Sequence, residues 1–195
     1  MSSSFLGNEN RVAFIGGSVR SGKSAFALRL GRARGPRRVF VATAQGLDLE
    51  MQARIAAHQH TRGADFRTLE EPLLLPAVLE QLAAVREADV VVIDCLTLWL
   101  SNLLLGGHNA DAIAAQVAAL ARVLARRAFH AVVVSNEVGM GVVPDNVLGR
   151  QFRDLSGLAH QAIAAVADEI YWAMLGSMLR MRPGPIALEP IGDVR

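Results

Sequence analysis

This sequence predicts an α/β fold, a mostly parallel sheet with flanking helices, on three observations. Short β-branched runs alternate along the chain with longer Ala- and Leu-rich periodic segments. Two of those runs, "VVVID" at 90–94 and "AVVVS" at 131–135, are apolar on both faces, as a strand buried between two layers must be. A glycine-rich turn, "GSVRSGKS" at 17–24, joins the first strand-like run to the first helical segment.

The elements follow in order. The opening apolar run "RVAFIGG" gives a strand over Val12–Ile15, and the periodic segment behind the glycine turn gives a helix over Lys23–Ala33. Gly31–Pro36 is a helix-to-strand turn, because glycine and proline cannot carry either element forward. A strand over Arg38–Thr43 precedes an amphipathic helix over Leu49–Gln59, and a further helix spans Leu74–Glu87. The buried strand Val90–Asp94 is followed by a helix starting near Leu96. A helix over Ala110–Arg127, the strand Ala131–Ser135, a helix over Val147–Ala167 and the strand Glu169–Met174 complete the alternation. The prolines of Pro183–Pro185 mark the break before a C-terminal tail, 183–195. No internal repeat or linker divides the chain, so residues 1–195 read as one domain, with 1–10 expected to be mobile.

Composition narrows the classes of function. The chain has 195 residues, 52% of them hydrophobic, enough for one sizeable core and too apolar for global disorder. The longest apolar stretch, "DVVVIDCLTLWLSNLLL", is broken by Asp94, Thr97, Ser101 and Asn102, so no membrane span is expected. The start lacks the basic-then-apolar order of a secretory signal. Cys95 is the single cysteine, which excludes an internal disulfide and fits a reducing cytoplasm. The formal net charge is only +2, which gives no footprint for nucleic acid or an anionic membrane.

The turn at Gly17, Ser18, Val19, Arg20, Ser21, Gly22, Lys23 and Ser24 fits G-x-x-x-x-G-K-[ST] at every fixed position, between a strand and a helix as that motif requires. Its backbone N–H groups and the positive end of the following helix suit phosphate. Lys23, the one lysine of the chain, can reach the β- and γ-phosphates, and Ser24 can offer a hydroxyl to Mg²⁺. A carboxylate ending a neighbouring strand would complete the metal site, and "VVVID" ends in Asp94. Asp94 also fits a simpler role, capping the helix that starts near Leu96. The fold class is therefore that of a P-loop NTPase, with a RecA-like mostly parallel sheet and flanking helices.

The segment "RIAAHQHTR", 54–62, holds two of the five histidines. On a helix, Glu50, Arg54 and His58 form one stripe that Arg62 continues, while His60 lies roughly 200° further round. Spacing alone is met by a solvated face with a Glu–Arg pair. Zinc has no second ligand cluster here, and Cys95 is far away in sequence.

Several blocks nevertheless carry a family resemblance across roughly residues 12–180. They are "GGSVRSGKS", "VATAQGLDLEMQARIAAHQHTR" with "DFRTLEEP", "VVVIDCLTLWLSNLL", and "VVVSNEVGMGVVPDNVLGRQFRDLSGLAHQAIAAVADEIYW". In content and order they resemble the bifunctional adenosylcobinamide kinase/adenosylcobinamide-phosphate guanylyltransferase family of cobalamin biosynthesis. The resemblance implies that a nucleoside triphosphate first phosphorylates the hydroxyl of adenosylcobinamide's aminopropanol arm. GMP from GTP is then passed through a histidine to the phosphorylated corrinoid.

The family pattern resembles R-I-x-x-H-x-x-x-R-P, and Arg54-Ile55 with Arg62 set its register. This makes His58 the nucleophile and leaves His60 on a variable position; Gly63 departs from the pattern's proline. A neutral imidazole suits that attack. The resemblance also sets Ala42, Thr43 and Ala44, and Gln59, His60, Thr61 and Arg62, against the guanine nucleotide. It makes Glu70 a contact to base or ribose, though by itself Glu70 reads equally as an exposed carboxylate before Pro72. Mg²⁺, ATP and GTP are the implied cofactor and co-substrates, adenosylcobinamide and its phosphate the partners, and a homotrimer the implied assembly. Asn136 and Glu137 are expected near the phosphates or at a subunit junction. His108, His130 and His160, with no constellation in sequence, read as structural or exposed. The rival readings are a P-loop small-molecule kinase without transferase activity, and a nucleotide-dependent switch or ATPase.

Overall fold

The computed structural model describes residues 10–46 and 63–189. The expected helix Leu49–Gln59, with His58, Gln59, His60, Thr61 and Arg62, lies outside the described residues. So do nearly all of the opening segment and the last residues of the tail.

In chain order the described elements are β1 (Val12–Gly17), α1 (Lys23–Arg32), β2 (Arg38–Ala42), a 3₁₀ turn (Gly63–Asp65), β3 (Arg67–Glu70), α2 (Leu75–Val85), β4 (Val90–Asp94), α3 (Leu96–Leu105), α4 (Ala110–Ala125), β5 (His130–Val134), α5 (Val147–Val166), β6 (Glu169–Met174), β7 (Ser177–Arg182) and β8 (Ala187–Glu189). The strands form one sheet in the order β3-β2-β4-β5-β1-β6-β7-β8. The first six are mutually parallel; β7 and β8 add antiparallel at one edge. This is the expected P-loop α/β architecture.

Strand alternation divides the apolar residues between two layers. Phe14, Val41, Val91, Ile93 and Val133 face α2–α5 in one core. Ala13, Ile15, Phe40, Val92 and Val134 face Phe26, Ala27 and Leu28 of α1 in the other. Four successive residues of β4, Val90 to Ile93, are wholly buried, two on each face. Each such side chain contributes roughly 1.5–3 kcal/mol of transfer free energy, so a polar replacement in this strand would break both layers.

Local chemistry fixes the helix starts. The side chain of Asn109 accepts from Ala112 N–H at 2.8 Å and that of Asn146 from Gly149 N–H at 2.7 Å, capping α4 and α5. Glu71 takes the N–H groups of Leu73 and Leu74 just ahead of α2. Helix α3 is apolar on nearly every side because it is buried, with Leu96, Trp99, Leu100 and Leu103 all inside.

Three strands go beyond the expected five. β3 is short and mostly exposed, β7 carries two arginines, and β8 lies in the segment expected as a tail, with Leu188 registered on Leu179. These strands, at the sheet's edges or next to one, lack the doubly apolar pattern of the central ones. Because the first six strands run parallel, the loops after β1, β2, β3, β4 and β5 all leave from one edge of the sheet, where open α/β folds bind ligands.

Candidate active site

The phosphate loop is built by two glycines in backbone conformations other residues resist. Gly17 ends β1 at φ +139°, with the carbonyl of Ala173 so close that a Cβ would lie 2.3 Å from it. Gly22, at φ +88°, is the residue before α1. Directly after Gly22, Lys23, the first residue of α1, turns back across the loop, donating to Ser18 O at 2.5 Å and Ser21 Oγ at 3.2 Å. Lys23 is buried despite its charge. Burial lowers its pKa below the ordinary lysine range, while the nearby Asp94 carboxylate pulls the other way. Val19 and Arg20 project to solvent at the loop's crest.

Asp94 stands two strands from the loop. It registers with Val134 of β5, which itself registers with Ile15 of β1. On its other side it registers with Ala42, which pairs with Glu70. Thus Lys23, Ser24, Asp94, Ala42 and Glu70 come to one edge of the sheet, with Glu70 at its exposed end. Ser24 and Asp94 supply a hydroxyl and a carboxylate, hard oxygen donors of the kind magnesium takes alongside phosphate oxygens and water. Among the described residues, no three His, Cys, Asp or Glu side chains gather into a metal cage.

Thr43 is wholly buried, and its hydroxyl serves the scaffold. It accepts from Cys95 N–H at 2.8 Å and donates to Cys95 O at 2.7 Å. Asn102 of α3 donates to Thr43 O at 2.8 Å and Pro72 O at 3.1 Å, and Trp99 Nε1 donates to Leu73 O at 3.0 Å. Helix α3 therefore ties together the ends of β2, β3 and β4. Burial, then Asp94, push the Cys95 thiol up to about 12, so it stays protonated and packs as a small apolar group.

Beside the loop lies a polar cluster that the sequence did not reveal. Glu137 N–H donates to Gly17 O at 2.9 Å, which places the segment after β5 directly against the phosphate loop. Ser135 Oγ lies 3.0 Å from Thr97 Oγ1 and 2.8 Å from His160 Nε2, and His160 Nδ1 lies 3.5 Å from Glu137 Oε2. The expectation that His160 has no constellation is thus corrected: 25 residues separate it in sequence from Ser135, and only the packing of α5 against the sheet joins them. Burial lowers the pKa of His160, against an opposing pull from Glu137. His130 and His108 are structural, as expected: Arg11 N–H donates to His130 Nδ1 at 3.0 Å, and His108 Nδ1 lies 3.0 Å from Leu103 O.

The chain matches the family described as CobU, cobinamide kinase / cobinamide phosphate guanyltransferase, over residues 13–181. It is 40% identical to the bifunctional adenosylcobalamin biosynthesis protein CobP of Pseudomonas aeruginosa, over 87% of this chain and 96% of that one. It is 37% identical to the bifunctional adenosylcobalamin biosynthesis protein CobU of Salmonella typhimurium, over 88% and 99%. Among solved structures, an ATPase domain is similar with a TM-score of 0.54 at 14% identity, covering 92% of this chain and 80% of that one, a likeness of fold alone. With a phosphate loop, a strand-end carboxylate and a match running nearly end to end, the chain belongs to the cobinamide kinase / cobinamide phosphate guanyltransferase family.

Proposed function

We propose that this protein phosphorylates adenosylcobinamide and then converts the product to adenosylcobinamide-GDP. The observation that carries this is the family match over residues 13–181, which embraces the phosphate loop, Asp94 and the segment bearing His58. In the first step the loop amides and Lys23 hold a nucleoside triphosphate, ATP or GTP, whose γ-phosphoryl group passes to the corrinoid's hydroxyl. The burial of Lys23 supports this role: a desolvated ammonium gains most from a polyanion brought beside it. Ser24 and Asp94 would hold Mg²⁺, which neutralises phosphate charge when bound. In the second step the imidazole of His58 attacks the α-phosphorus of GTP and pyrophosphate leaves. A phosphate oxygen of the corrinoid then displaces the histidine. Ala42, Ala44, the main chain of Thr43, Gln59–Arg62 and Glu70 are the proposed nucleotide contacts.

No helix of the described structure is long and apolar enough to cross a membrane. We place the enzyme in the cytoplasm, as a homotrimer that acts on small molecules and not on nucleic acid. The deciding experiment is incubation with GTP labelled at the α-phosphate, for wild type and His58→Ala, with the kinase step assayed in parallel. Acid-labile label on wild type alone, with phosphorylation kept in the variant, is the expected result. Wild type that phosphorylates the corrinoid but never takes up label would reduce the protein to a kinase.

A further inference from the structure

We infer that His160 is a positioning residue for the phosphate loop, acting through Glu137; this rests on the reading of that loop as the nucleotide site. The argument begins with how the segment after β5 is held. Glu137 uses its backbone N–H on Gly17 O, the first residue of the phosphate motif. One of its carboxylate oxygens, Oε1, takes Gly139 N–H, and the other faces His160 Nδ1. Arg153 donates through Nη2 to Gly139 O at 2.5 Å. Arg153 and His160 are seven residues apart on α5, two turns, and so lie on one helix face. That face grips the Glu137–Gly139 bend at two points, and the bend grips Gly17.

The ring itself is fixed on three sides. Phe14 lies 5.6 Å away centroid to centroid, Ser135 meets Nε2, and Glu137 faces Nδ1. A neutral ring with its proton on Nδ1 satisfies every partner at once: Thr97 donates to Ser135, Ser135 to Nε2, and Nδ1–H points to the carboxylate. Ser135 is anchored independently, its N–H donating to Ile15 O at 3.0 Å. The Glu137 arm is the shortest route from position 160 to the phosphate loop, because Glu137 itself bonds Gly17 O, whereas the Ser135 arm reaches it only by way of Thr97 and Asn136 N–H.

Two isosteric half-replacements separate the arms. His160→Asn puts an amide N–H where Nδ1 stands and keeps the Glu137 arm; His160→Gln reaches the Nε2 position and keeps the Ser135 arm. A merely structural histidine would be replaced equally well by either. The measurement is the dissociation constant for magnesium–ATP and magnesium–GTP by titration calorimetry, with unfolding curves for each variant and kcat and KM for corrinoid phosphorylation. We expect His160→Asn to bind within about threefold of wild type and His160→Gln to bind about tenfold more weakly, the worth of one hydrogen bond to a charged group. The loss should sit in the nucleotide KM more than in kcat. In a Glu137→Ala background, exchanging His160 for Gln should add nothing further, since the connection is already cut.

Equal affinities for the Asn and Gln variants, or additive losses in the double variant, would overturn the inference. So would a wild type that binds no nucleotide. Binding is read without corrinoid, so a wild type that binds nucleotide normally but phosphorylates no corrinoid would sink the proposed activity alone.

Discussion

Gly17→Ala should destabilise the fold by about 2–6 kcal/mol with no nucleotide present. Two costs add. At φ +139° an L-residue is held in a region that costs of order 1–3 kcal/mol. The new Cβ would also lie 2.3 Å from Ala173 O and 3.0 Å from both the nitrogen and Cβ of Ala173. These are mostly backbone atoms of the neighbouring strand, registered directly on Gly17, so no side-chain rotation relieves the contact. Overpacking of this kind costs typically about 1–3 kcal/mol more. Gly16→Ala is the matched control, because its nearest neighbours, at 3.2 Å, are ring atoms of the half-buried Trp172, which can give way. It should stay within about 1 kcal/mol of wild type. Urea unfolding followed by circular dichroism measures both. A Gly17→Ala protein within about 1 kcal/mol of wild type, at unchanged slope, would refute the claim that β6 packing as well as phosphate binding demands glycine there.

Three further outcomes are expected. Thr43→Val keeps the shape but leaves the Cys95 N–H without an acceptor, while Cys95 O keeps the Trp99 N–H at 3.2 Å; at about 1–3 kcal/mol for a buried unsatisfied group, unfolding experiments should show a loss of that size, and a loss under about 0.5 would contradict the bracing role. His130 and His160 both have lowered pKa values in the fold, mainly through burial, so their contribution is complete above the unfolded value near 6.5 and is lost as pH falls through the folded values. Melting temperature should accordingly decline on acidification below about pH 6.5. His130→Asn, whose amide oxygen can still accept Arg11 N–H, should flatten that decline; an equally steep curve would assign it elsewhere. Asp94→Asn should raise the magnesium concentration needed for half-maximal phosphorylation by about tenfold, one charge-assisted ligand's worth, and an unchanged requirement would remove Asp94 from the metal site.

How much of this was legible in the sequence depended on whether the determinant was local. The apolar run Val90–Ile93 announced its strand because burial on both faces leaves no polar position. The phosphate loop was readable because its conformation demands glycines at fixed spacing. β7 was not, although Leu175 and Gly176, at φ +51° and +72°, form the two-residue turn that a tight hairpin needs. Its Ser-Met-Leu-Arg-Met-Arg run mixes charge into a strand next to the sheet's edge, and leucine gives no hint of a left-handed conformation. Helix α3 was legible only at its start near Leu96, because a helix buried on nearly every side shows no amphipathic period to mark its extent. Of the site, Lys23 and Asp94 could be read from motif and strand end. The link from His160 to Ser135 and Glu137 could not, because it exists only once α5 is laid across the sheet.

Lys23 has a practical corollary. It carries the sole ε-amine of the chain, and that amine is folded inward onto Ser18 O. A protease that cleaves only after lysine has a single scissile bond available, in the first turn of α1. Its rate of cutting thus reports how often the loop opens, and substrates or inhibitors that close the loop can be ranked by the protection they confer, with no label attached.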